Sequence, residues 1–181
     1  ELYEDLKGFT KDVVMYPSKD VIFFSADVHG SYILQQRLEF IEKLVEDKPF
    51  TVIVTEDAFL DKILPLEKIK ENYIEIEEGA TIEMEALKSK LSSMGYESVN
   101  QIDSPGQYAV RGSILDVYTL TDETPYRIDF WDDEVDIIKT FDVESQRSIE
   151  NLTKIKIYPA SEYLLDKDAI KAGALKIKKD M

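Results

Sequence analysis

The sequence has no cysteine, a single histidine (His29) and only seven glycines among its 181 residues. The missing thiols exclude disulfides, thiolate metal sites and cysteine nucleophiles, and a single imidazole cannot complete the common zinc patterns. The glycines are scattered singly, so neither a GxGxxG fingerprint nor a phosphate loop ending in Lys-Ser or Lys-Thr is present. We therefore expect no metal, no cofactor and no small-molecule substrate, and we do not expect this chain to be an enzyme.

Long apolar runs and an excess of positive charge are also missing. No segment approaches the ~18 apolar residues of a membrane span, and the first residues do not form a signal peptide, so a cytoplasmic protein without membrane contact is expected. The formal net charge of −15 disfavours binding to nucleic-acid phosphates. A solvated chain end explains the lysines of residues 176–179 better than DNA binding does. Because the chain opens on Glu1 rather than Met, we expect a piece of a longer protein.

Hydrophobic residues make up 44% of the chain, which is enough for a buried core. Up to residue 78, strand and helix patterns alternate, and the predicted strand at residues 21–24 is apolar throughout, as in a strand buried on both faces. An amphipathic helix is predicted at residues 31–47 and a short one at 57–64. The alternation predicts a partial parallel three-layer α/β unit over residues 1–78.

From residue 79 the pattern changes to one helix followed by strands. Thr81 is the predicted N-cap of the helix, and Gly95 marks its end. The strands that follow are separated by short turns, with hairpins expected at residues 122–123 and 132–133. Residues 79–164 are therefore predicted to form a small α+β domain with a mainly antiparallel sheet and one packed helix. Residues 165–181 are predicted to be a C-terminal tail or helix.

Two acidic or nucleophilic groupings have simple non-catalytic explanations. Ser25, Asp27 and His29 lie close together in sequence, but catalytic triads assemble from distant segments, so a polar loop after a buried strand is favoured. The acidic residues 132–134 favour a solvated hairpin tip over a metal or acid–base site.

The predicted strand at residues 126–131 has two different faces. Its even-numbered residues are apolar and belong in the core, while Arg127, Asp129 and Trp131 point outwards. An arginine and the only tryptophan of the chain on one exposed face are typical of an interface hot spot. Arg127 is one of two basic residues among nine acidic ones between residues 122 and 144. An internal pair with Asp129 or a neighbour, covered by Trp131, explains the pattern equally well.

The strand predicted at residues 107–112 has a similar alternation. Tyr108 and Val110 face inwards, whereas Ala109 and Arg111 face outwards, and Gly112 indicates a bulge or tight turn. If the two strands are neighbours, Arg111 would join the arginine and tryptophan of the later strand in one patch. A slip of one residue in register would destroy this patch.

Several segments closely resemble transcription-repair coupling factors (the Mfd family). They are residues 95–97 with Gln101, 105–117, 125–136, 141–147 and 157–160. The first part of the chain matches more loosely, through Ser25, Asp27, His29 and Arg37.

The resemblance implies a function in nucleotide excision repair. Members of this family carry an N-terminal module similar to the helicase UvrB, and this chain would be the later half of its first domain plus its second domain. The second domain binds the damage sensor UvrA, which couples repair to stalled transcription. The family's binding residues fall at Arg111, Arg127 and Trp131, although phenylalanine is more frequent at the last position. The longer parent would resemble an ATP-dependent DNA translocase that also binds RNA polymerase.

The alternative is a fragment of UvrB itself or of another ATP-dependent DNA helicase with a nucleic-acid-binding role. UvrB usually has an arginine at the position of Ala109, which would give a paired Arg-x-Arg before Gly112. The segment at residues 142–147 favours the coupling factor.

Overall fold

The computed structural model describes residues 2–19, 28–163 and 175. The predicted strand at 21–24, Ser25, Asp27, the side chain of His29 and the lysines of the tail lie outside these residues. The elements in chain order are α1 (Leu2–Lys7), β1 (Val13–Tyr16), α2 (Val28–Glu46), β2 (Thr51–Val54), α3 (Glu56–Phe59), α4 (Leu66–Lys70), β3 (Ile74–Glu77), α5 (Met84–Ser93), β4 (Glu97–Ser98), β5 (Gln107–Arg111), β6 (Ile114–Tyr118), β7 (Tyr126–Trp131), β8 (Glu134–Phe141), β9 (Ser148–Leu152) and β10 (Lys154–Ile157). None of the described helices is long and apolar enough to cross a membrane.

The first part of the chain contains the predicted parallel pairing. Strands β1 and β2 run parallel, with Val13 opposite Thr51, and helix α2 packs on β1. Leu38 and Ile41 of α2 share a small buried cluster with Ile69 of α4. The helix predicted at residues 57–64 is shorter in the structure, where α3 ends at Phe59. This part is therefore an α/β unit, as its alternating pattern predicted.

The larger part of the fold is a six-stranded sheet with the order β4-β5-β6-β7-β8-β9. Its strands pair antiparallel except for β4 and β5, which are parallel. One face buries Leu115, Ile128 and Ile138 against Leu87 and Leu91 of α5. This is the predicted α+β arrangement of one helix on a mainly antiparallel sheet.

Strand β3 precedes the predicted boundary at residue 78, yet it pairs antiparallel with β10. Ile76 of β3 is fully buried in the core that lies under the six-stranded sheet. The division of the chain into residues 1–78, 79–164 and 165–181 stays a prediction.

Only the N-terminal end of α5 differs from the prediction. The N-cap is Glu83, without a side-chain cap, and not Thr81 as predicted. Thr81 instead forms an isolated bridge with Glu134, so its backbone belongs to a strand-like segment. At the other end Gly95 has φ +95°, the left-handed conformation that favours glycine after a helix. A Cβ atom at Gly95 would lie 3.0 Å from the Cβ of Ser161.

The hairpin between β7 and β8 turns at residues 132–133, as predicted, with Asp132 at φ 58°. A bulge follows, because Asp129 pairs with Ile137 while Phe130 pairs with Val135. The bulge adds one residue to β8. Val135 and Ile138 can therefore both face the core although they are three residues apart.

A buried arginine joins the first part of the chain to the segment after β10. Arg37 is 1% exposed, and its guanidinium lies 4.1 Å from the centre of the Tyr16 ring. It bonds Glu162 at 2.5 Å, Asp61 at 2.9 Å and the carbonyl of Pro17 at 2.6 Å. A buried charge is tolerated only when it is paired in this way.

We expect Glu162→Gln to lower the free energy of unfolding by about 3 kcal/mol, because it removes the main counter-charge of a buried cation. Denaturant unfolding measures this loss. The control is Glu85→Gln, which removes one carboxylate from the exposed Glu85–Lys88 pair. Equal stabilities of the two variants would contradict the importance of the Arg37 network.

A partly buried acid forms a second contact between these two parts. Glu42 of α2 accepts a 2.6 Å hydrogen bond from the hydroxyl of Thr121 in the loop between β6 and β7. Burial raises the pKa of Glu42 from 4.5 to about 8, and the nearby Asp122, Glu39 and Glu46 act in the same direction. The folded protein therefore keeps this proton at a pH where the unfolded chain has lost it.

The free energy of unfolding should consequently fall as the pH rises from about 5 to about 8, by at most about 1.4 kcal/mol per pH unit from this group. Glu42→Gln cannot ionise, so it should show a smaller fall over this interval and be more stable than the parent at pH 8. Urea unfolding at several pH values tests this expectation. Parallel pH profiles would show that Glu42 is not the responsible group.

Candidate functional site

The outer face of the six-stranded sheet carries a row of mostly polar residues. Strand pairing places Ala109, Asp116, Arg127, Lys139 and Asn151 side by side across β5 to β9. In β5 to β8 the neighbouring positions along the strand face the core. Charged side chains in this row therefore have to find partners on the outer face itself.

Asp116 of β6 is the second residue of this row and binds two arginines. Its side chain is 1% exposed. Arg127 donates from Nε to Oδ1 at 2.6 Å and from Nη2 to Oδ2 at 2.9 Å, and Arg111 donates from Nη2 to Oδ2 at 2.5 Å. One carboxylate thus binds two guanidinium groups, which leaves one net positive charge on this part of the face.

Arg127 is the more enclosed of the two arginines, with a side chain 12% exposed. Its guanidinium lies 4.0 Å from the centre of the Phe141 ring, and it donates to the side-chain oxygen of Gln146 at 2.9 Å. Hydrogen bonding to Asp116 raises the pKa of Arg127 above its usual value. Arg127 does form the internal ion pair considered from the sequence. Its partner is Asp116 rather than Asp129, which bonds Lys139 at 2.6 Å.

Arg111 is the more accessible arginine, with a side chain 41% exposed. It stands at the end of β5, just before Gly112, whose φ of +63° fits the tight turn predicted there. Strand β5 does not pair directly with β7, because β6 lies between them. The two arginines still meet, since Asp116 of the intervening strand reaches both.

Trp131 is the most exposed of the three predicted site residues, at 80%. It ends β7 at the turn formed by residues 132–133, and the amide of Phe130 bonds the carbonyl of Ser113 at 2.9 Å. The β5–β6 and β7–β8 turns therefore lie at the same end of the sheet. Trp131 is four residues beyond Arg127, or about 13 Å along the strand. Among the described contacts, no hydrogen bond or cation–π pair joins it to either arginine.

Ala109 lies on the outer face of the sheet, as predicted, but it is buried there and only 1% exposed. The chain between β4 and β5 folds back over this corner, and Ile102 forms a small apolar cluster there with Ala109 and Phe141. Sequence reasoning also missed Asp116. The signal was available, since Asp116 is the only acid in the apolar strand at residues 114–118 and alternates to the outer face.

The acidic run at residues 132–134, one of the alternative chemical sites, gains no support from the structure. Residues 132–134 form the exposed hairpin tip. In the part of the chain that the structure describes, no group of three or more His, Cys, Asp or Glu could hold a metal ion.

Comparison with known proteins gives one family and several relatives. Residues 74–163 match the family model of the UvrB interaction domain. The transcription-repair-coupling factor of Bacillus subtilis is 36% identical over 164 residues, which cover 90% of this chain and 14% of the relative. That of Escherichia coli is 32% identical over 171 residues, which cover 93% of this chain and 15% of the relative. The chain thus spans a small fraction of the length of these relatives.

Neighbouring residues on opposite faces of β7 should differ sharply in their effect on stability. Trp131→Ala should change the free energy of unfolding by no more than about 0.5 kcal/mol, because the indole is exposed. Phe130→Ala should cost about 3–5 kcal/mol, because that ring is 5% exposed in the core. Denaturant unfolding followed by circular dichroism compares the two variants. Similar losses would show that Trp131 is packed rather than presented.

Proposed function

This chain belongs to the family of transcription-repair-coupling factors, and we propose that it is a docking module that recruits the nucleotide-excision-repair damage sensor UvrA. The exposed tryptophan on the same face of the sheet as two arginines held by Asp116 is the observation that carries the proposal. The UvrB interaction domain at residues 74–163 covers all three residues. The module would present a UvrB-like surface to UvrA during transcription-coupled repair.

The exposure of Trp131 is difficult to explain by folding alone. A large aromatic side chain that is 80% exposed contributes little to the core, and tryptophan is among the residue types enriched in binding hot spots. Its indole can bury a large apolar area with few rotatable bonds. We infer that UvrA provides an apolar pocket for Trp131.

The arginines suggest the polar part of the partner surface. Arg111 and Arg127 lie in an acidic chain with a formal net charge of −15. A guanidinium binds planar carboxylates in a bidentate manner, which gives directional recognition. We infer that UvrA presents carboxylates to this face, with Arg111 as the more direct contact because its side chain is more exposed.

The activity of the longer parent is part of the same proposal. A full-length protein of this family would be an ATP-dependent DNA translocase in the bacterial cytoplasm, with RNA polymerase and DNA as further partners. This chain would supply the contact to UvrA and no catalytic step. The strongly negative charge supports a protein partner over nucleic acid for the module itself.

Single substitutions at the three residues should weaken binding to purified UvrA. Arg111→Ala, Arg127→Ala and Trp131→Ala should each cost on the order of 2 kcal/mol, or roughly 30-fold in affinity, if each residue is a buried hot spot. Isothermal titration calorimetry with the 181-residue chain measures these losses.

The matched control is Lys156→Ala, which also removes one positive charge. Lys156 lies on β10, outside the six-stranded sheet, and its side chain is 45% exposed. It should bind UvrA like the parent chain. Parental affinity in the three site variants would exclude this face, and no binding by the folded parent chain would contradict the proposed function.

A further inference from the structure

The two arginines of the outer face are held in place before any partner arrives. Both donate to Asp116, whose side chain is 1% exposed. An arginine on an acidic surface could otherwise turn towards many exposed carboxylates. Because Asp116 is buried and belongs to β6, the strand between β5 and β7, it fixes both guanidinium groups relative to the sheet.

Arg127 is held from a second direction by the turn between β8 and β9. The side-chain oxygen of Gln146 accepts from Nη2 of Arg127 at 2.9 Å, and the amide of Gln146 donates to the carbonyl of Val143 at 2.7 Å. Gln146 has φ 58°, and its backbone N–H bonds the carbonyl of Asp142 at 2.8 Å. This turn therefore has a defined shape, and its contact limits the movement of the Arg127 guanidinium.

The sharing of Asp116 is unequal. Arg127 uses both carboxylate oxygens, whereas the hydrogen bond recorded for Arg111 uses Nη2 alone. Among the described contacts, the other N–H groups of Arg111 are therefore available to a partner. Arg127 thus bonds both oxygens of Asp116, while Arg111 makes one bond and keeps a side chain that is 41% exposed.

We propose that Asp116 and Gln146 are positioning residues of the docking surface, which hold Arg111 and Arg127 in the orientation that carboxylates of the partner require. This inference rests on the proposed function and adds two residues to it. Neither residue needs to touch the partner. Their effect passes through the arginines, since a preorganised donor loses less conformational freedom on binding.

If Asp116 competed with the partner instead of positioning the arginines, its neutralisation would change the affinity in the opposite direction. If Asp116 merely competed with the partner for the arginines, its neutralisation would free them and strengthen binding. If it positions them, neutralisation should weaken binding, mainly through faster dissociation, because the arginines would be mobile in the free chain. The sign of the change therefore distinguishes the two roles.

The experiment measures association and dissociation rates of UvrA with the 181-residue chain and its variants by surface plasmon resonance. Asp116→Asn should bind about 10-fold more weakly, mostly through dissociation, and Gln146→Ala about 3-fold more weakly. The charge-matched control is Asp136→Asn, at an exposed acid of β8, which should keep the parental dissociation rate. In an Arg111→Ala background, Asp116→Asn should have a smaller effect than in the parent.

Unchanged or tighter binding of Asp116→Asn would overturn the proposal. So would an equal loss of affinity from Asp116→Asn in the parent chain and in the Arg111→Ala variant. Loss of stability is separated from positioning by Ile128→Val, a core change on the other face of the sheet, compared at equal folded fraction by circular dichroism. If Asp116→Asn does not fold, Gln146→Ala decides, and parental binding by that variant overturns the proposal. Failure of the parent chain to bind UvrA would instead refute the proposed function.

Discussion

The register of strands β5 to β8 is the constraint on which the site depends. Helix α5 covers one face of the sheet, where Leu115 and Ile128 are fully buried. A shift of one residue would move these side chains into solvent and carry Asp116 and Arg127 into the core. The cost of such a shift fixes the polar row on the outer face. The geometry of the candidate site is therefore a consequence of core packing on the opposite side.

The polar row also needs a local balance of charge. A buried carboxylate without partners would be strongly unfavourable, and two adjacent guanidinium groups without a shared anion would repel each other. Asp116 answers both requirements with hydrogen bonds to Arg111 and Arg127. The face of Phe141 covers the Arg127 guanidinium and excludes water from one side of the pair. The result is an ordered, positively charged patch on the surface of an acidic protein.

Strand alternation was enough to predict the outward residues of β7, the exposed Trp131 and the hairpin at residues 132–133. These features depend on local periodicity and turn chemistry. The role of Asp116 and the burial of Ala109 depend on strand order and on a loop that folds over the sheet, which periodicity does not contain. Thr81 was assigned wrongly because a long-range bridge replaced the expected cap. The proposal of UvrA as the partner came from family resemblance, since residue patterns give the chemistry of a surface and not the name of its partner.

We propose that Trp131 and the arginine pair form one surface that UvrA covers. The most direct measurement is the ¹⁹F NMR signal of the chain labelled with 5-fluorotryptophan, because Trp131 is the only tryptophan. We expect a solvent-exposed signal in the free chain that shifts and broadens when UvrA is added. In the double variant Arg111→Ala/Arg127→Ala, the signal should stay unchanged when UvrA is added. A signal of the parent chain that UvrA leaves unaffected, at concentrations where calorimetry shows binding, would place the interface elsewhere and refute the proposed surface.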